Sequence, residues 1–159
     1  MGFAATAELG GVERGWLRGS RDSVVLERRT DTASASDLPI PADTDLSLAI
    51  VDSSFELAGL LASPGWLGEL ARTASAVVLV ATATVPGLRR LDTAADLMGE
   101  SRVIAATVGA KRWPRPVEQS VGPTVRRLRE AGRVVQIPHE PGLAIAGLTP
   151  DPLPTAITR

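Results

Sequence analysis

Four short apolar runs recur along this chain with helical patterns between them: Leu48-Ala49-Ile50-Val51, Val77-Val78-Leu79-Val80, Val103-Ile104-Ala105-Ala106 and Val134-Val135-Gln136-Ile137. Their apolarity is continuous rather than alternating, the pattern of strands covered on both faces, as in parallel sheets. Strand–helix–strand spacing of roughly 30 residues then requires right-handed crossovers. The expected fold is α/β, a three-layer sandwich with a mostly parallel sheet.

The helical stretches carry their own punctuation. Thr84-Val85-Pro86 opens a helix in which Leu88, Leu91, Ala95 and Met98 share one face, and Gly99 stands at the C-cap. Ser63-Pro64 reads as a cap and first turn for a helix with Trp66, Leu67, Leu70 and Ala71 inward. Val117, Val121, Val125 and Leu128 keep helical phase across Gly122-Pro123, which predicts one kinked helix or two in tandem. Residues 3–18 read as a weak helix, Ser23 to Arg28 as a short strand, and residues 30–45, with Pro39 and Pro41, as a long loop. A length of 159 residues suits one domain spanning 1–159.

Composition removes several function classes. There is no cysteine and one histidine, so disulfides, thiolate catalysis and Cys- or His-based metal sites are not expected. A net charge of −1 gives no global attraction to nucleic acid, and 3% aromatics are too few for base-stacking platforms. No apolar stretch approaches the ~18 residues of a membrane span, and the first residues lack a secretory pattern. A soluble, cytoplasmic protein with no transmembrane segment is expected. Of 17 Lys+Arg, only Lys111 is lysine. With abundant alanine, this arginine bias reads as that of a high-GC bacterial genome.

The landmarks Ala49-Ile50-Val51-Asp52-Ser53-Ser54, Val77-Val78-Leu79-Val80-Ala81-Thr82 and Val135-Gln136-Ile137-Pro138-His139-Glu140-Pro141 resemble, in order and spacing, the ParA/MinD branch of the SIMIBI-class P-loop NTPases. The resemblance covers about two thirds of the chain, from Leu48 onward. It implies a P-loop NTPase-like core in which the first landmark is the strand carrying the metal-side aspartate, Asp52, and the third leads into the loop beside adenine. On that resemblance Asp52, Thr84, Pro138 and His139 lie on the nucleotide side. Yet the phosphate-cradling pattern Gly-x4-Gly-Lys-Ser/Thr does not occur, and Lys111 lacks the required glycines. Either the loop has been lost or the chain starts downstream of it. The expectation is therefore a degenerate, non-catalytic scaffold or interaction protein with no cofactor. It would act as a homodimer or with a protein partner, as an accessory of a larger cytoplasmic or membrane-peripheral assembly. The alternative is a partitioning or positioning-type ATPase domain, using ATP and magnesium, whose P-loop part is outside this chain.

Several residues carry two readings. Asp52 is a helix cap or a ligand at a strand end. His139 is a turn residue or a general base, and with Asp52 it would serve a third class, a small nucleotide-independent enzyme. No catalytic residue and no metal ligand is assigned. Arg126, Arg127, Arg129 and Arg133 form either a DNA-facing cluster or a solvated, dipole-matched helix end; the interleaved acids favour the latter, and no nucleic-acid partner is expected. Trp113, between Arg112 and Pro114, packs under its loop or projects as an anchor.

Overall fold

The computed structural model describes residues 11–13, 15–21, 24–29, 34–41, 46–110, 112–146 and 154–158. Tertiary contacts divide the chain into two units, one of residues 1–72 with 146–151 and the other of residues 73–145 with 152–159. The fold is mixed α/β, with a three-stranded antiparallel sheet in the first unit and a three-stranded parallel sheet in the second.

In the first unit, β1 (Gly11–Glu13), β2 (Trp16–Arg21) and β3 (Val24–Arg28) form a meander. Glu13 is paired with Trp16 and Arg21 with Val24, so each hairpin closes over two residues. Gly15, at φ 84°, supplies the left-handed conformation that such a tight turn requires. The helix expected over 3–18 is thus replaced by strands over 11–13 and 16–21; residues 1–10 lie outside the described set. The expected strand at Ser23 to Arg28 forms over Val24–Arg28, but in an antiparallel sheet, with Arg18 opposite Glu27 at 3.7 Å.

The first apolar run does not form a strand. Leu48 to Val51 has no regular secondary structure, and Leu48 and Ile50 are 75% and 88% exposed. An apolar run specifies burial, but a strand also needs a neighbour to receive its N–H and C=O groups. Helix α1 (Leu57–Ala62) follows, with Glu56 as its N-cap accepting from the Gly59 amide at 3.1 Å, so Asp52 is not the cap. Ser63 closes α1, its hydroxyl donating to Gly59 O at 2.7 Å, rather than opening the next helix, α2 (Trp66–Thr73). Among the described residues of this unit, a small core cluster forms from Ala35, Leu60 and Leu67, with Leu38, Trp66 and Ala71 against them. Trp66 Nε1 donates to Leu38 O at 2.9 Å, pinning the described part of the 30–45 loop.

The second unit follows the expected pattern. Strands β4 (Val77–Thr82), β5 (Val103–Gly109) and β6 (Val134–Pro138) pair in parallel in that order. Between them lie α3 (Val85–Met98) and the tandem α4 (Arg115–Gln119) and α5 (Pro123–Glu130). Proline at 123 lacks the N–H that a continuous helix would need, so the chain breaks at Gly122 and restarts. Leu88, Leu91, Ala95 and Met98 are buried, and Gly99 caps α3. Gly87 allows the first turn of α3 to close on the end of β4: a Cβ there would collide with Thr82 O. The chain continues into α6 (Pro141–Ala146) and α7 (Thr155–Thr158).

Coverage of the parallel sheet differs from expectation. Helices α3 and α5 pack on the face of Val103, Ala105 and Thr107, all fully buried. On the other face, Val78, Val80 and Thr82 align with Ile104, Ala106 and Val108, and the last two face Val135 and Ile137. There Val78, Val80 and Val135 are 57%, 67% and 49% exposed. Continuous apolarity along the strands is therefore matched, among the described residues, by α3 and α5 on one face, while Val78, Val80 and Val135 on the other stay exposed.

Candidate functional site

Parallel pairing brings the C-terminal ends of β4, β5 and β6 to one edge, where open α/β sheets place ligands. Thr82 is aligned with Val108, and Gly109 with Pro138. The edge is stitched beyond the last rungs: Ala83 N donates to Val108 O at 2.8 Å, and His139 N to Gly109 O at 2.7 Å. Of the sequence-predicted residues, Thr84, Pro138 and His139 thus lie at or just past strand ends. Asp52 belongs to the first unit, is exposed, and follows no strand. Lys111 lies outside the described residues.

The chemistry these side chains offer is set by their local bonds. The Thr84 hydroxyl accepts from Gly87 N at 3.2 Å, as the N-cap of α3, and lies 3.2 Å from the Thr82 hydroxyl. Its capping role occupies one of the hydroxyl's two lone pairs. His139 is exposed, and its imidazole has no acid or hydroxyl partner among the described residues. Glu140 is turned away into the start of α6, accepting from Gly142 N at 3.4 Å. The imidazole is available to donate or accept one hydrogen bond, without the orienting group of a proton relay. Among the described residues no group of three or more His, Asp or Glu side chains gathers to hold a metal ion.

The arginines of α5 are engaged with partners in their own unit. Arg127 Nε donates to Glu100 Oε1 at 2.7 Å, holding the Glu100 carboxyl below the usual glutamate range. Arg129 Nη1 meets Glu118 Oε1 at 2.5 Å, and its guanidinium lies 5.9 Å from the Trp113 ring centroid. Trp113 itself is buried and donates from Nε1 to the Thr107 hydroxyl at 3.2 Å, so it packs rather than projects. Arg126 donates to Val121 O at 3.2 Å. Such a helix end is matched to its dipole and its acids.

The open sheet face was missed by sequence reasoning. Its only signal is parity: Val78 and Val80 alternate with the half-buried Val77 and Leu79. Valines on both sides of a strand conceal that alternation.

No protein-family model matches this chain, and comparison with curated proteins and with solved structures returns no significant match. No helix among the described residues is long and apolar enough to cross a membrane.

Proposed function

We propose that this chain is a non-catalytic α/β scaffold that associates with a second copy of itself through the open face of its parallel sheet. The observation that carries this reading is the uncharged, aliphatic face on which Val78, Val80 and Val135 stand about half exposed. Val78, Val80 and Val135 carry no charge, so bringing them together across a two-fold axis adds no like-charge repulsion between them. Pleated faces stack at about 10 Å, close enough for facing valines to interdigitate.

Magnitudes decide the strength. Fully burying a valine contributes about 1.5–3 kcal/mol, so each half-exposed valine adds roughly 1 kcal/mol. Across two copies this is of the order of the 4–15 kcal/mol that association costs in lost freedom. The dimer is accordingly weak and concentration-dependent. This agrees with the interaction-protein expectation attached to the ParA/MinD resemblance, in which a three-layer sheet has its second face covered.

Sedimentation equilibrium over the micromolar range tests it. The expected result is a mass that rises with concentration, and a Val80→Lys chain that stays monomeric with an unchanged circular dichroism spectrum. A wild-type chain that remains monomeric throughout, or a Val80→Lys chain that dimerises equally, would sink the proposal. Calorimetry with Mg-ATP separates the nucleotide-binding alternative: no tight binding is expected, and Asp52→Ala should change neither heat nor stability, because Glu56 is the cap. Low-micromolar ATP binding that Asp52→Ala abolishes would restore that alternative.

A further inference from the structure

The opposite edge of the parallel sheet carries a repeated feature. Each strand is entered through a two-residue step with at least one polar side chain: Ser75-Ala76 before β4, Ser101-Arg102 before β5 and Gly132-Arg133 before β6. Parallel pairing brings these entries together around a shallow cleft of about 380 Å³, whose apolar lining includes Ile104 and Val135. No aspartate or glutamate lines it.

The two arginines are held there by backbone. Arg102 Nη1 donates to Ala74 O at 3.2 Å, while Arg133 Nη1 donates to Glu100 O at 2.8 Å and Ser101 O at 2.6 Å. A guanidinium has five N–H donors in a rigid fork. Among the described residues, the Nε and Nη2 groups of both arginines have no acceptor. The carbonyl tethers fix each fork before any ligand arrives, which lowers the entropy lost on binding. Both side chains are only partly exposed, so their charge is less screened than at the open surface.

Opposing charges must be counted. The nearest acid by sequence, Glu100, is engaged by Arg127. Helices α3 and α5 run back toward this edge and end there, each contributing about half a negative charge at its C-terminus. Two full positive charges exceed them. The volume lies at the low end of the roughly 300–1,000 Å³ range of small-molecule sites.

We propose that this cleft binds a small organic anion, with an oxyanion head received by the free donors of Arg102 and Arg133 and a compact apolar body on Ile104 and Val135. Planar forks match carboxylate and phosphate heads alike, in bidentate fashion. The cleft shares Ile104 and Val135 with the open face, but its arginines lie before the strands and its test reads anion binding rather than self-association.

The test is amide chemical-shift mapping of the full chain, titrated separately with phenyl phosphate, benzoate, inorganic phosphate and benzyl alcohol. Saturable shifts are expected at Ser75, Ser101, Arg102 and Gly132 with phenyl phosphate or benzoate, and the stronger of the two identifies the head. Inorganic phosphate should bind more weakly, and benzyl alcohol not at all. Arg102→Gln should weaken binding by at least about tenfold, as loss of a charge-assisted bidentate contact does. Because Arg133 also tethers the turn at Glu100, the second variant is Ala76→Glu. It places a carboxylate at an exposed position of the rim, leaves both arginine tethers intact, and should abolish anion binding in a folded chain. Absence of saturable shifts with every anion, shifts confined to other residues, or undiminished binding in Ala76→Glu would overturn the proposal.

Discussion

Among the described residues, the two units of this protein bury their apolar side chains on different scales. In the second unit Leu88, Val103, Ala105 and Val125 reach 0% exposure between helices and a parallel sheet. In the first, Leu60 keeps 7% and the cluster around it is a handful of side chains from α1, α2 and one loop. The difference follows from connection. Each βα unit delivers a helix directly onto the sheet it has just extended, so the apolar stripe and the apolar face are covalent neighbours. The first unit instead divides its elements between a meander and a helical pair, and its most apolar run, Leu48 to Val51, stays exposed.

Core truncation should show this contrast most strongly. Leu88→Ala is expected to cost about 4–5 kcal/mol, the upper part of the range for buried leucines, because rigid neighbours on all sides keep the cavity open. Leu60→Ala should cost nearer about 2 kcal/mol, since a small cluster beside exposed segments collapses more readily. Chemical denaturation of the two variants measures both, and the reverse order would break the comparison.

A smaller effect probes how the helices of the second unit are locked. Asp92 on α3 accepts from Val125 N at 2.8 Å, so a side chain from one helix caps the first turn of another, α5. Asp92→Ala should cost about 1–2 kcal/mol, as loss of an N-cap does. Asp92→Asn should recover most of it, because the amide oxygen still accepts. Thermal melts of the two variants decide the point, and equal losses would show that charge rather than capping matters.

The smallest effect is electrostatic. The hydrogen bond from Arg127 depresses the Glu100 carboxyl in the folded state. A depressed acid stabilises the fold above its unfolded value, about 4.3 for glutamate, and that stability is lost as pH falls through the lower folded value. Stability measured from neutral pH downward should therefore show a gap between wild type and Glu100→Gln that closes below about pH 4.3. The side chains are 51% and 35% exposed, so screening keeps the gap small and salt should narrow it further. A gap that persists unchanged into acid would mean that packing of Glu100, not its charge, is responsible.

The βα half of the fold was legible because its signals are local. Thr84, Pro86 and Gly99 mark the ends of α3, and Leu88, Leu91, Ala95 and Met98 mark its inward face within a few turns. The break at Gly122-Pro123 was legible for the same reason. The hairpins over 11–28 were not, because Gly15 reads as a weak helix residue until its partner strand is known. The strand-end residues Thr84, Pro138 and His139 could be placed from strand order alone, whereas Asp52 could not: the strand expected before it, Leu48 to Val51, does not form.

What the sequence by itself determined is the alternation of apolar runs and capped helices from Val77 onward, with its charge balance and its lack of cysteine. Those properties arise from residues a few positions apart, within reach of local backbone preference. Only the tertiary structure decided that the parallel sheet leaves one face of valines open. It also decided that Arg102 and Arg133 meet at the strand entries and that Asp92 caps a helix 33 positions away. Each of these depends on which strand pairs with which and on where a crossover helix lands, and a long-range contact leaves no periodic mark in the residues that make it.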